Sequence, residues 1–294
     1  MISVCLGPVS SNSSLRQGTS LSYWIGRVLD SHTLDLNLEG GGEMREPARN
    51  VWVYLAVMVV FKSPLACAGR AGADSMPTVD QVLDKYVQAL GGKAAIEKVT
   101  TVVIKGKVDV PSTGETGSME TYRKAPNKEI EMINTPSNGP SQRGFDGTVG
   151  WNWDPDSGPS DMSPADLAAI KLESDFYRDI RLKELYPKIS LKGKEKAGNR
   201  EAYVVEAPRE DGSSEKMYFD TESGLLIQSE VPIDVPDEGK TIVNSQFEDY
   251  REVEGVKVAF TIRQTSADFD YVIKVSEVRY NVPIDDVKFK KPTQ

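Results

Sequence analysis

The feature that most constrains this chain is a period-two alternation of apolar and polar residues. It begins at Thr101 and returns, segment after segment, as far as Tyr280. In the first segment Val102, Ile104, Gly106, Val108 and Val110 alternate with Thr101, Val103, Lys105, Lys107 and Asp109. Successive side chains of a strand point to opposite faces, so this reads as a half-buried strand, ended by Pro111 and a Ser-Thr-Gly turn. Similar segments are expected at Met119–Lys124, Lys128–Asn134, Gln142–Asp146, Val149–Asp154, Ile189–Lys196, Glu201–Ala207, Glu215–Asp220, Leu225–Val231, Thr241–Tyr250, Val256–Thr265 and Tyr271–Tyr280. The joins are short and rich in turn formers: Asp146-Gly147, Gly198-Asn199, Asp211-Gly212, Glu222-Ser223-Gly224 and Glu254-Gly255. Joins this short connect antiparallel neighbours only.

Two segments change period. Thr78-Val79-Asp80-Gln81 is a capping box, and Val79, Val82, Leu83, Tyr86, Val87 and Leu90 follow at helical spacing until Gly91-Gly92. A short helix around Lys93–Lys98 comes next. Ser163-Pro164 is an N-cap followed by proline at N1, which predicts a helix to about Leu185, ended by Tyr186-Pro187. The expected fold is mainly β with two or three helices. About eleven antiparallel strands form a strongly curved sheet, an incomplete antiparallel β-barrel lidded by helices. Long sheets tend to curl, and a partly closed curl leaves a concave apolar face.

Before this region the character differs. Residues 1–43 show no sustained period and are expected to be an over-extended, disordered amino terminus. Met44-Arg-Glu-Pro-Ala-Arg49, the uncharged run Val51–Phe61 and small residues ending Ala71-Gly72-Ala73 match a signal peptide over 44–73. Eleven apolar residues are too few to span a bilayer, which needs about 20. Cys67, after Pro64-Leu65-Ala66, offers a lipid-anchor alternative to cleavage after Ala73. Residues 74–294 are then a single β domain, expected in the periplasm or otherwise exported.

Composition now excludes several chemistries. The only His is His32, and the only Cys are Cys5 and Cys67, so residues 74–294 contain neither. Ser-His-Asp, Cys-His and His- or Cys-ligated zinc sites are therefore ruled out, and no enzyme and no cofactor is expected. The first 73 residues hold 6 of the 35 basic and 5 of the 44 acidic residues, which leaves 29 basic against 39 acidic. A net charge near −10 repels phosphate backbones, so nucleic acid is not an expected partner. Asp154-x-Asp156-x-Gly158…Asp161 has a faint calcium-loop pattern, but it lacks the bidentate Glu and reads as an ordinary polar loop.

What remains is apolar binding. Trp151 and Trp153 are two apart on one strand and share a face, with Phe145 close by. Val258, Phe260, Ile262 and Ile273 are inward candidates on later strands. Leu167, Ile170 and Phe176 come from the inserted helix as a lid. Together they would line a cavity for acyl chains, although each aromatic reads equally as plain core. The alternative is an envelope structural or protein-interaction module whose interior is filled by its own side chains.

The order of these elements, with Gly144-Phe-Asp-Gly147, Gly150-Trp-Asn-Trp153, Asp220-Thr-Glu-Ser-Gly-Leu225, Phe247-Glu-Asp-Tyr-Arg251 and Val278-Arg-Tyr-Asn281 before Phe289, resembles the outer-membrane lipoprotein carrier and sorting superfamily (LolA/LolB-like). The likeness covers most of residues 75–294. It implies an incomplete barrel lidded by helices, with lipid or lipoprotein acyl chains as cargo and envelope proteins as partners. It also implies an early-strand arginine that holds the lid, a place for which the early strands offer Lys105, Lys107 and Arg123.

Overall fold

The computed structural model describes residues 76–293 apart from 236–238 and 268. The expectations for residues 1–43 and 44–73, including the anchor at Cys67, lie outside the described residues. Helix α1 (Val79–Ala89) begins with the expected capping box: the Thr78 hydroxyl accepts from the Gln81 amide, and the Gln81 side chain accepts from the Thr78 amide. Its stripe of Val82, Leu83 and Tyr86 is buried. The helix ends where Gly91 takes a positive φ of 122°. A Cβ at Gly91 would lie 2.0 Å from the Gly255 carbonyl oxygen, so only glycine lets the helix end approach the turn there. Helix α2 (Lys93–Ile96) is a single turn.

Thirteen strands follow: β1 (Thr101–Val110), β2 (Glu115–Lys124), β3 (Lys128–Thr135), β4 (Gly139–Phe145), β5 (Gly150–Asp154), β6 (Gly158–Asp161), then β7 (Ser190–Ala197), β8 (Arg200–Pro208), β9 (Ser214–Asp220), β10 (Leu226–Val235), β11 (Gly239–Val253), β12 (Val256–Thr265) and β13 (Asp270–Tyr280). Every neighbouring pair of these strands is antiparallel, and together they make one sheet in the order β6-β5-β4-β3-β2-β1-β13-β12-β11-β10-β9-β8-β7. Sheet neighbours are chain neighbours everywhere except at β1–β13, where the two meanders meet. The segment between β6 and β7, with α3 (Pro164–Glu173) and α4 (Arg178–Leu185), joins one edge of the sheet to the other.

This corrects the expected incomplete, strongly curved barrel. Among the described residues the sheet is open: its ends, β6 and β7, pair only with β5 and β8. Both edges resist further pairing. β6 has four residues and contains Pro159, while β7 carries Lys192, Lys194 and Lys196 and a register break at Leu191/Gly193. Two local expectations also change. The loop expected over Asp154–Asp161 turns back to form β6, because Asp154 Oδ1 accepts from the amides of Asp156 and Ser157 and closes the turn. The single inserted helix is two, broken at 174–177.

Residues directly opposite in a ladder share a face. One row runs Phe145–Glu129–Arg123–Val102–Tyr280 and the next Arg143–Glu131–Thr121–Ile104–Val278. This is the face on which the main core is built. In that core Val82, Leu83, Tyr86 and Leu90 of the first helix and its C-cap, with Leu182 of α4 and Tyr186, meet Val102, Ile104, Val205, Met217, Phe219, Phe247, Ile262 and Ile273. The row Trp151–Gly144–Ile130–Tyr122–Val103 faces the other way. There it is covered by the carboxy-terminal segment, which brings Ile284 and Phe289 onto it. A 3-10 helix, Asp286–Phe289, capped by Asp285, sets that contact.

Candidate functional site

The ten residues expected to line one cavity separate into three groups. Val258, Phe260, Ile262 and Ile273 lie in the main core, with Phe176 packed against it. Phe145 and Ile170 form a small cluster with Met162, against which Leu167 packs. Trp151 and Trp153 belong to the opposite face of the sheet. Trp151 is fully buried, its indole Nε1 donates to the Phe289 carbonyl at 2.9 Å, and a Cβ at Gly144 would lie 2.3 Å from its ring. A glycine opposite this tryptophan is therefore a packing requirement.

Tyr86 and Phe219 meet at a ring-centroid distance of 4.9 Å where α1 lies on the sheet. A cleft lined by Val108, Ile133, Thr135, Asn138, Gly139, Ser141 and Tyr271 has room for about one water.

The unexpected feature is a set of buried charges where the α3–α4 segment meets β2, β3 and β4. Arg123, only 4% exposed, donates through Nη2 to the backbone carbonyls of Glu173 (2.7 Å) and Asp175 (3.3 Å). Its Nε lies 2.9 Å from Glu129 Oε2, an ion-pair distance off the hydrogen-bond direction. Arg143 pairs with Glu173 at 2.7 Å. The Phe176 amide donates to the Pro126 carbonyl, and the Asp175 carboxylate accepts from the Tyr177 amide. These bonds take the last turn of α3 away from helical partners, which is why one helix became two. Arg123, one of the three early-strand cations, is thus the one that holds the inserted helices. Lys105 instead pairs with Glu120, away from the helices.

Glu131 sits beside this group, directly opposite Thr121 and Arg143 in the ladder. It is 5% exposed, and burial pushes its carboxyl up to about 8, against the pull of Arg143. Glu131 Oε2, Thr121 Oγ1 and Ser174 Oγ have no hydrogen-bond partner among the described residues. Burial also raises the Glu129 carboxyl.

A second anchor holds α4. Arg178 Nη2 donates to both oxygens of Glu215 (2.7 and 2.8 Å), Tyr186 donates to Glu215 at 2.7 Å, and Tyr86 donates to Asp179 at 2.8 Å. Burial alone would raise the Glu215 carboxyl, but Arg178 and Arg209 outweigh it and hold it below the usual range. Sequence reasoning missed both groups, because a buried Glu on a strand alternates like an exposed one. The signal that was present is the run Lys128-Glu-Ile-Glu131, with Glu129 and Glu131 two apart.

Among the described residues no group of three or more His, Cys, Asp or Glu is placed to hold a metal ion. The aspartates of the faint calcium loop are used in turns and in the pair Asp161–Lys291. No described helix is long and apolar enough to cross a membrane.

The architecture is therefore one open antiparallel sheet with helices pinned across one face and the carboxy-terminal segment on the other. Among solved structures it is similar to a DUF1329 family protein from Desulfovibrio piger, at 15% identity and a TM-score of 0.50, covering 73% of this chain and 98% of that one. It is also similar to a LolA superfamily protein from Nitrosomonas europaea (16%, TM-score 0.48, 74% and 99%). A third likeness is to a Vibrio parahaemolyticus domain assigned to outer membrane lipoprotein sorting (12%, TM-score 0.49, 71% and 96%). The likeness to the DUF1329 family protein is one of fold. No family model matches the chain, and no curated protein matches it.

Proposed function

We infer that residues 74–294 form a non-enzymatic structural or protein-interaction module of the cell envelope, with the helix-covered face of the sheet filled by the domain's own side chains. The observation that carries this reading is the main core, which is continuous from α1 and α4 to the sheet and includes Val258, Phe260, Ile262 and Ile273. An acyl carrier needs a cavity, since each captured methylene supplies about 0.8 kcal/mol only if it leaves water. The cleft at Tyr271 holds about one water and cannot take a chain of methylenes without rearrangement. The signal-like run over 44–73 supports an exported location.

The reading as a carrier of lipid or lipoprotein acyl chains stays the competitor, and one experiment separates them. A fluorescent long-chain fatty acid is titrated with the purified domain. The interaction module leaves the probe's emission unchanged up to high protein concentration. Saturable one-to-one binding, lost on changing Ile262 to Asp in a variant that stays folded, overturns the reading in favour of the carrier.

A further inference from the structure

The buried charges under the α3–α4 segment do not balance. From β2 comes Arg123, from β3 Glu129 and Glu131, from β4 Arg143, and from the end of α3 Glu173. Asp175, in the break between the helices, is paired with Arg181 of α4. Two arginines thus face three glutamates. Glu173 takes Arg143 and Glu129 takes Arg123, which leaves Glu131 as the excess carboxylate. An unpaired buried carboxylate is too costly to keep charged, and the group takes up a proton instead. The surroundings suit the acid form: Thr121 stands directly opposite Glu131, and its buried Oγ1 has no hydrogen-bond partner among the described residues.

We propose that Glu131 is a proton-binding site that latches the α3–α4 segment to the sheet. With its carboxyl O–H intact, Glu131 leaves Arg143 to Glu173, and the end of α3 stays down. When that O–H bond breaks and the proton passes to solvent, the new carboxylate competes with Glu173 for Arg143 and repels Glu129. The Arg143–Glu173 pair then weakens. Relief comes from lifting residues 173–177 and admitting water to Glu131. The lift also breaks the bonds from Arg123 to the Glu173 and Asp175 carbonyls and from the Phe176 amide to the Pro126 carbonyl, while Arg178 to Glu215 and Tyr86 to Asp179 hold α4 and keep the opening local.

The sign follows from linkage. The native carboxyl titrates at about 8 and an exposed one near 4.5, so the closed state binds the proton more tightly. The latch is fully set below the exposed value and is lost as pH rises through the native one. Between pH 6 and pH 8 the opening constant rises about 50-fold if opening fully exposes the group.

The test is hydrogen exchange of the backbone amides of residues 164–177, corrected for the intrinsic rate at each pH, in the wild-type protein and in Glu131→Gln. The wild type is expected to gain tens of fold in local opening from pH 6 to pH 8, with the strands β8–β13 unchanged. Glu131→Gln, neutral at every pH, is expected to show a flat profile. The same pH dependence in both proteins overturns the proposal, as does a rise shared by the whole sheet. If the variant does not fold, carbon-13 titration of the wild-type glutamate carboxyls decides. A Glu131 resonance with a midpoint near 8 supports the latch, and a Glu131 resonance titrating below pH 6 overturns it.

Discussion

Replacing Phe219 by Ala tests whether the helix-covered face is packed solid. Phe219 is 1% exposed on β9, opposite Tyr203 on one side and Leu226 on the other, and its ring lies 4.9 Å from that of Tyr86 on α1. Truncating a buried Phe removes its transfer free energy and leaves a cavity that neighbours fill only in part, at a cost of about 3–5 kcal/mol. The Tyr86–Phe219 aromatic contact places the site toward the upper end of that range. For a domain of this size each kcal/mol lowers Tm by about 2–4 °C, so the midpoint should fall by about 6–20 °C. Urea unfolding followed by circular dichroism measures the loss, with m unchanged if the native fold is kept. The hole should be apolar and dry, so saturating benzene should raise the Tm of Phe219→Ala and leave that of the wild type alone. A loss under about 1 kcal/mol, or a wild type stabilised by benzene, would show that the face already holds empty space and refute the packing argument.

Arg123→Met should cost about 3–5 kcal/mol, because it strands the buried Glu129 and the carbonyls of Glu173 and Asp175; adding Glu129→Gln should recover part of the loss in the same urea assay. Gly144→Ala should lose about 1–3 kcal/mol, since its methyl would meet the Trp151 ring, and the tryptophan emission should shift as that ring moves. Expressed from Met44 in a bacterium with a Sec pathway, the chain should be recovered outside the cytoplasm with Asp74 as its first residue; an intact cytoplasmic chain on amino-terminal sequencing would defeat the export reading.

Much of the local structure was legible because its causes are local. The capping box at Thr78 and Gln81 and the stop at Gly91-Gly92 use groups within one turn of each other, and the helix appears where they place it. The strands of β8 to β13 appear close to their expected bounds, since turn residues and alternation act over a few positions. β6 was not legible, because Gly158-Pro-Ser-Asp161 has no apolar alternation and becomes a strand only by pairing with β5. The break at 174–177 was not legible either. It is imposed by Arg123, some 50 positions away in sequence, which takes the carbonyls that would have continued the helix.

The candidate site shows the same division. The sequence by itself determined that Trp151 and Trp153 share a face, that the domain has no histidine or cysteine chemistry, and that one meander follows another. It could not say which face the tryptophans share, because a period of two distinguishes two faces without labelling them. The labels come from the β4–β5 register and from the segment carrying Ile284 and Phe289, which covers the tryptophan face. Nor could it say whether the sheet closes, since closure depends on whether β6 and β7 pair across the whole strand order. Glu129 and Glu131 read as solvated residues for the same reason: their surroundings are Arg123 and Arg143, which the β2–β3–β4 registers place beside them, and Glu173, which arrives only when the inserted helices settle on the sheet.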